Sequence, residues 1–363
     1  MASIGGGHIT TAEAVEHCFR KESPESRILI RDYFSYLNYF ERGIIEFPYL
    51  LSIKRFPLFY RSLYKYLQSR KFSKRMGGYL KVMGVENIHE DFTLHDPDIV
   101  VNTVPLSVSS SSVMKRLYDH AFFNAVTITD FQAHPMWIAD GVNLFVVAHD
   151  EVRKRLISWG IPREKVHVLG IPISPRVAQL PEKPVLRRDL GLDPDLFTVL
   201  LSVGAMGLYR GYKGLLEALG KIKQPYQLVL INCKGDFDLE DKNPNAKIIR
   251  LDYTPKFPAY LKASDIILGK AGGLTLAEAA AVGTPALIFE PIPGQEEENA
   301  QFFERHRACL WARDKQQLQA YLHKLFTDRN LVSTMSESML RLGKPHSAEQ
   351  TSQLILDQWT QWH

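Results

Sequence analysis

The sequence predicts an α/β protein made of two parallel-sheet domains. Three observations predict it. The chain has 363 residues, enough for two domains of ordinary size. Short apolar runs alternate with helical segments through both halves, the pattern of parallel strands joined by helices. One stretch, Asp265–Asn299 (DIILGKAGGLTLAEAAAVGTPALIFEPIPGQEEEN), contains a strand, a glycine loop, a helix, a second strand and a polar loop in succession. Hydrophobic residues make up 45% and charged residues 23%, as in ordinary soluble globular chains. No apolar run approaches the roughly 20 residues that span a bilayer, and there is no signal-peptide pattern. Cys18, Cys233 and Cys309 are sparse, widely spaced and without metal-ligand spacing, which suits a reducing cytoplasm.

Taken in order, the chain opens on Met1-Ala-Ser-Ile-Gly-Gly-Gly-His8, followed by a helical run over about Thr10–Arg20. A histidine behind a glycine loop at a helix start suits a base facing a cleft, and equally an ordinary polar turn. Arg27–Asp32 (RILIRD) reads as a strand. From Phe47 to Val85 come nine Lys or Arg and no Asp or Glu, with Phe and Tyr interleaved. The net charge of +4 therefore comes from this one stretch, since acidic residues outnumber basic ones elsewhere. Basic residues with interfacial aromatics fit an anionic membrane surface, with Lys54, Arg55, Arg61 and Lys65 as contacts. Single-stranded nucleic acid is the competing partner, but no nucleic-acid motif accompanies the stretch.

Pro97–Thr103 and Ala125–Asp130 read as strands with polar ends, and Ser107–Ser112 (SVSSSS) as a flexible loop. Asp130, His134 and Trp137 lie just beyond a strand end, where a substrate group fits. Taken singly they also read as a turn cap, a surface residue and a core residue. Val166–Pro175 closes the first half, with Pro172 and Pro175 stiffening a crossing segment. The domain boundary is placed near residue 175: 1–175 forms one domain and 176–345 the other. The amphipathic helix over about 346–363 is expected to return to the first.

Phe197–Val203 opens the second sheet and runs into Gly204-Ala-Met-Gly207, with a helix from about Lys213. Gln227–Asn232 and Lys247–Leu251 are further strands. Then comes the Asp265–Asn299 unit: strand to Gly269, loop Lys270–Leu274, helix Thr275–Val282 closed by Gly283, strand Pro285–Phe289, and loop Pro291–Asn299. A helix after a glycine loop presents free N–H groups and a partial positive charge to a phosphate. Gly272 and Gly273 let the phosphate approach that backbone. In an open parallel sheet such ligands bind beyond the carboxyl ends of the strands, in the manner of Rossmann-like domains. Thr275-x-x-Glu278 is also a capping box, which would satisfy the helix end without any ligand. Helices over Lys315–Phe326 and Leu331–Leu342 complete the domain.

KAGGLTLAEAAAVGTPALIFEPIPGQEEENAQFF resembles the donor-site signature of the diacylglycerol glycosyltransferases. These are the processive diacylglycerol β-glucosyltransferases and the monogalactosyldiacylglycerol synthases of glycosyltransferase family 28. The lipid II-forming N-acetylglucosaminyltransferase is a more distant relative. The opening Ala-Ser-Ile-Gly-Gly-Gly-His8, the Thr129–Trp137 stretch and Gly170-Ile-Pro-Ile-Ser-Pro175 resemble the same family. The resemblance implies a GT-B fold, two Rossmann-like domains facing a cleft. Relatives have a strand before the first glycine loop, where this sequence begins.

The resemblance also implies a reaction, the inverting transfer of a hexose from a UDP-sugar to diacylglycerol, with glucose favoured over galactose. His8 would be the catalytic base, with a pKa near the working pH, and Gly7, Asp130, His134 and Trp137 would face the acceptor or lipid. Gly272, Gly273 and Thr275 would hold the diphosphate, Gly204 and Gly207 the diphosphate or the sugar, Glu278 the ribose, and Gln295, Glu296 and Asn299 the sugar. No metal or other cofactor is expected, and anionic lipid is expected as an activator. The protein would sit on the inner face of the cell membrane, from the cytoplasmic side. Two alternatives remain at this point: a UDP-sugar epimerase of the same fold, and a UDP-sugar-binding regulator without catalysis.

Overall fold

A computed structural model describes residues 6–44, 83–204, 209, 211–233 and 243–362. Lys54, Arg55, Arg61, Lys65 and Gly207 lie outside the described residues. The chain divides into two compact units, one of Met1–Ser174 with Pro293–Gln295 and His346–His363, the other of Pro175–Ile292 and Glu296–Pro345.

The first unit begins with helix α1 (Gly6–Glu22), which starts four residues before the sequence suggested. Helix α2 (Val85–His95) leads to strand β1 (Ile99–Asn102), and helix α3 (Pro105–Leu117) to β2 (Phe123–Thr127). Strand β3 (Leu144–Val147), helix α4 (Asp150–Ser158) and strand β4 (Val166–Val168) follow. The four strands form a parallel sheet in the order β1-β2-β3-β4. Strands β2 and β3 are buried on both faces, which explains the unbroken apolar sequence of β3 (LFVV); in β2 the buried Asn124 is paired with Asn102. Phe123, Ala125, Leu144 and Val146 pack on one face against Val15 and Phe19 of α1. Val126, Phe145 and Val147 pack on the other against Val108, Val152 and Leu156. The last helix, Ser347–Trp362, belongs to this unit and adds Ile355 to the first of these clusters.

Two expectations change here. Arg27–Asp32 is extended but joins no sheet. Ile28 packs on the α1 cluster, and Arg31 bonds Asp91 of α2 at 3.0 Å, so side-chain contacts tie the segment to its neighbours. An extended stretch becomes a strand only with a ladder partner. Ser107–Ser112 is not a loop but the body of α3. Pro105 occupies its first turn, Val108, Val113 and Met114 are buried, and Ser111 Oγ donates to Asn102 Oδ1 at 3.2 Å.

The second unit contains helix α5 (Lys183–Asp189), strand β5 (Phe197–Ser202), helix α6 (Tyr212–Leu219) and strands β6 (Tyr226–Ile231) and β7 (Ala246–Leu251). Helix α7 (Phe257–Ala263), strand β8 (Ile266–Gly269), helix α8 (Gly273–Val282) and strand β9 (Ala286–Phe289) follow. Helix α9 (Gln295–Arg305), strand β10 (Cys309–Ala312) and helices α10 (Lys315–Thr327) and α11 (Arg329–Leu342) close it, before α12 (Ser347–Trp362) in the first unit. The sheet is parallel, in the order β10-β9-β8-β5-β6-β7. The chain builds outward from β5 through β6 to β7, then resumes at β8 on the other side of β5. The crevice between the carboxyl ends of β5 and β8 is thus the topological switch point, where open sheets of this kind bind ligands.

Candidate active site

The second unit places an uncapped helix start at that switch point. Helix α8 starts at Gly273, with Gly272 as N-cap, and no side chain caps it. Its first intrahelical bond is Leu276 N–H to Gly272 O at 3.0 Å, so the N–H groups of Gly273, Leu274 and Thr275 lie ahead of the helical ladder. The capping-box reading fails because the helix begins two residues before Thr275, which moves Glu278 into the second turn. Glu278 is only 5% exposed, and its carboxyl has no hydrogen-bond partner among the described residues. Burial raises its pKa to about 8. A carboxyl with no protein partner near an open helix end is placed to meet a polar ligand.

Two residues beyond β5 stands Gly204, whose φ of +77° favours glycine. Its carbonyl accepts from Asn232 Nδ2 at 2.8 Å, which fixes the turn. Lys270 follows β8, and its Nζ bonds Glu296 Oε1 at 2.6 Å. Glu296 Oε2 accepts from Ile292 N–H at 2.8 Å. Asn299 is fully buried and donates to Ala271 O at 3.1 Å. The GQEEEN segment is therefore not a free polar loop but the first turns of α9. Its glutamates sit at the helix N-terminus, where the dipole favours them. Glu296 and Asn299 brace the Lys270–Gly272 loop from behind, while Gln295 stands half-buried at the helix start. Sequence reasoning missed Lys270; its adjacency to Ala271-Gly272-Gly273 was the available signal.

The first unit carries a second cluster. His8 lies in the first turn of α1, next to half-buried Gly7. Its backbone oxygen accepts from Thr103 Oγ1 at 3.2 Å, and its Nδ1 shares a hydrogen bond with Thr129 Oγ1 at 3.1 Å. Thr103 and Thr129 follow β1 and β2, so the imidazole stands at the carboxyl ends of two adjacent strands. Neither threonine was singled out from sequence, although both lie in the polar strand ends. His8 keeps part of its surface, yet desolvation by surrounding protein lowers its pKa to about 4, against a hydrogen bond to the Thr103 backbone that raises it. This corrects the expectation of a pKa near the working pH: the imidazole is neutral at pH 7 by a wide margin.

Asp130 follows Thr129 and is half-buried. His134 is buried, and its Nδ1 accepts from Met136 N–H at 3.2 Å, capping the short 3-10 turn Pro135–Trp137. Burial lowers its pKa to about 4 as well. Trp137 is 2% exposed among Val108, Val126 and Phe145. Its side chain supports the loop from beneath and presents no face to a lipid.

Residues 8–173 match the monogalactosyldiacylglycerol synthase family, and residues 208–351 match the glycosyltransferase family 28 C-terminal domain. The chain belongs to the diacylglycerol glycosyltransferase family. A relative in this family, the processive diacylglycerol β-glucosyltransferase of Bacillus pumilus, is 28% identical over 98% of this chain and 93% of its own length. The fold is GT-B. It is similar to that of MurG from Acinetobacter baumannii, with a TM-score of 0.55 at 16% identity, covering 76% of this chain and 77% of the other. It is also similar to Anabaena Alr3699/HepE in complex with UDP-glucose, with a TM-score of 0.50 at 12% identity, covering 76% and 82%. Among the described residues, no helix of this family member is long and apolar enough to cross a membrane.

Proposed function

We propose that the protein transfers a hexose, glucose in preference to galactose, from a UDP-sugar to diacylglycerol with inversion, giving a β-glycosyl-diacylglycerol. The observation that carries the donor half is the uncapped start of α8 at the switch point, with the 5% exposed Glu278 in its second turn. The diphosphate lies on the N–H groups of Gly273 to Thr275, and Glu278 meets the ribose hydroxyls. The acceptor and the preference for glucose are supported by the name of the Bacillus pumilus relative. Gln295 faces the sugar, whereas Glu296 and Asn299 act through the loop they hold.

In the reaction the glycerol hydroxyl oxygen attacks the anomeric carbon. The bond from that carbon to the phosphate oxygen breaks, and its electron pair leaves with UDP. The hydroxyl proton passes to the neutral His8 imidazole, which returns it to water because its conjugate acid has a pKa of about 4. Thr129 and Thr103 fix the ring for this step. The basic aromatic stretch between Phe47 and Val85 holds the protein on anionic membranes, where its acceptor resides, on the cytoplasmic side. Anionic lipid activates by this attachment, and no metal takes part in the proposed step.

The test is UDP release from UDP-glucose and UDP-galactose, with and without diacylglycerol in anionic vesicles. The expected result is lipid-dependent release, faster with UDP-glucose, reduced about 100-fold or more in His8→Ala. With the imidazole already neutral, wild-type kcat/KM stays level from pH 6 to 9 as far as His8 governs it, and falls only towards about 4. Formation of an epimeric UDP-sugar without lipid would replace this reading with isomerisation.

A further inference from the structure

We propose that Lys270 donates to the diphosphate of the bound nucleotide, and that Glu296 positions it there; the inference rests on the UDP-sugar reading of the second unit. Lys270 follows the carboxyl end of β8 directly. A Cβ built on Gly204, two residues beyond β5, would stand 3.6 Å from Lys270 Cε. The lysine stem therefore crosses from one strand end to the other, over the switch point itself.

The ion pair with Glu296 is asymmetric. The Glu296 side chain is 4% exposed and that of Lys270 is 27% exposed. Both carboxylate oxygens are used, one by Lys270 Nζ and one by Ile292 N–H. Each Glu296 oxygen thus already has one partner inside the protein, which fixes the carboxylate against Lys270 and the Ile292 backbone. An ammonium has three donors, and Glu296 occupies one. The other two belong to a group that keeps contact with solvent, beside the open end of α8. A fixed cation and a helix N-terminus on the same opening select a dianionic ligand over a neutral one.

The group transfer draws on this charge without a proton changing hands. As the bond between the anomeric carbon and the phosphate oxygen breaks, negative charge grows on UDP. Lys270 stays protonated and strengthens its hydrogen bond to that leaving group. A strut that merely tied the loop to α9 would have no reason to distinguish UDP from uridine.

The test measures UDP and uridine affinity by calorimetry on the full chain, alongside turnover. Lys270→Met leaves Glu296 buried without its cation, so the double variant Lys270→Met/Glu296→Gln is measured beside it. Both are expected to bind UDP about 10-fold or more weakly and uridine within about 2-fold of wild type. Their kcat is expected to fall about 100-fold, and Lys270→Arg is expected to keep most of the UDP affinity. Glu296→Gln alone weakens UDP binding, but adds nothing once Lys270 is Met, because Glu296 acts through the lysine. UDP binding unchanged in Lys270→Met and in the double variant, or lost in parallel with uridine binding, overturns the inference while the donor reading stands. Failure of the wild type to bind UDP removes the donor reading, and this inference with it.

Discussion

Glu278 and His8 show how burial sets a side chain's chemistry. Neither shift is visible in the sequence, because desolvation depends on what the fold packs around the group. The folded pKa of Glu278 is about 8 against 4.5 for the exposed group, so between those values the folded state holds a proton that the unfolded state has lost. Its contribution to stability therefore falls as pH rises from 4.5 through about 8. His8 and His134 have the opposite sign. Their folded values near 4 lie below the ordinary 6.5, so stability falls as pH drops from 6.5 towards 4. Because Glu278 is protonated at pH 6, Glu278→Gln should keep UDP affinity there within about 3-fold, whereas Glu278→Ala should lose about 10-fold. Calorimetric titration with UDP checks both, and equal losses in the two variants would exclude the ribose contact. At this scale the residue types of the candidate site were legible, and their states were not.

Among the elements, α8 was the most legible. The glycine before it and Gly283 after it have separate physical reasons. Gly283 takes a φ of +76° as the helix C-cap, and a Cβ there would come within 2.8 Å of Leu340 Cγ on α11. Gly283→Ala should destabilise the second unit by about 2 kcal/mol, the left-handed cost plus displacement of Leu340. The midpoint of denaturant unfolding measures it. Strands β2, β5, β6, β8 and β9 were readable because strands buried on both faces are predominantly apolar. The misread elements are those whose local composition points away from their packing. Serines in α3 look like a loop, yet Ser110 and Ser111 hydrogen-bond to Leu106 O and Asn102 Oδ1, and the apolar residues between them fill the core. Gln295–Asn299 looks like a loop because it is polar, yet its acidic run suits a helix start, and Ala300, Phe302 and Phe303 behind it are buried. Strand β10, Cys309–Ala312, was not read at all.

Across the whole molecule, the chain leaves its first unit after Ser174, touches it again at Pro293–Gln295 and returns to it for good at His346. Helix α12 is held there by Ser347, whose Oγ donates to Ile171 O at 2.8 Å and accepts from Ile173 N–H at 3.2 Å, and by Ser352 Oγ donating to Val15 O. Ile355 is fully buried beside Val15, Phe19 and Leu144. Ile355→Ala should therefore destabilise the first unit by about 2–4 kcal/mol, although it lies near the opposite end of the sequence. Hydrogen exchange should show lost protection in α1 and β3 rather than in β5 or β8; the reverse pattern would sink this assignment. By itself the sequence determined the α/β class, the strand–glycine loop–helix unit and the residue types of the site, because periodicity and backbone freedom are local properties. Only the tertiary structure decided which glutamate stays buried without a partner, which one grips Lys270, which strands flank the switch point, and that Trp137 belongs to the core. Those depend on desolvation and on neighbours distant in the chain, and no local pattern records them.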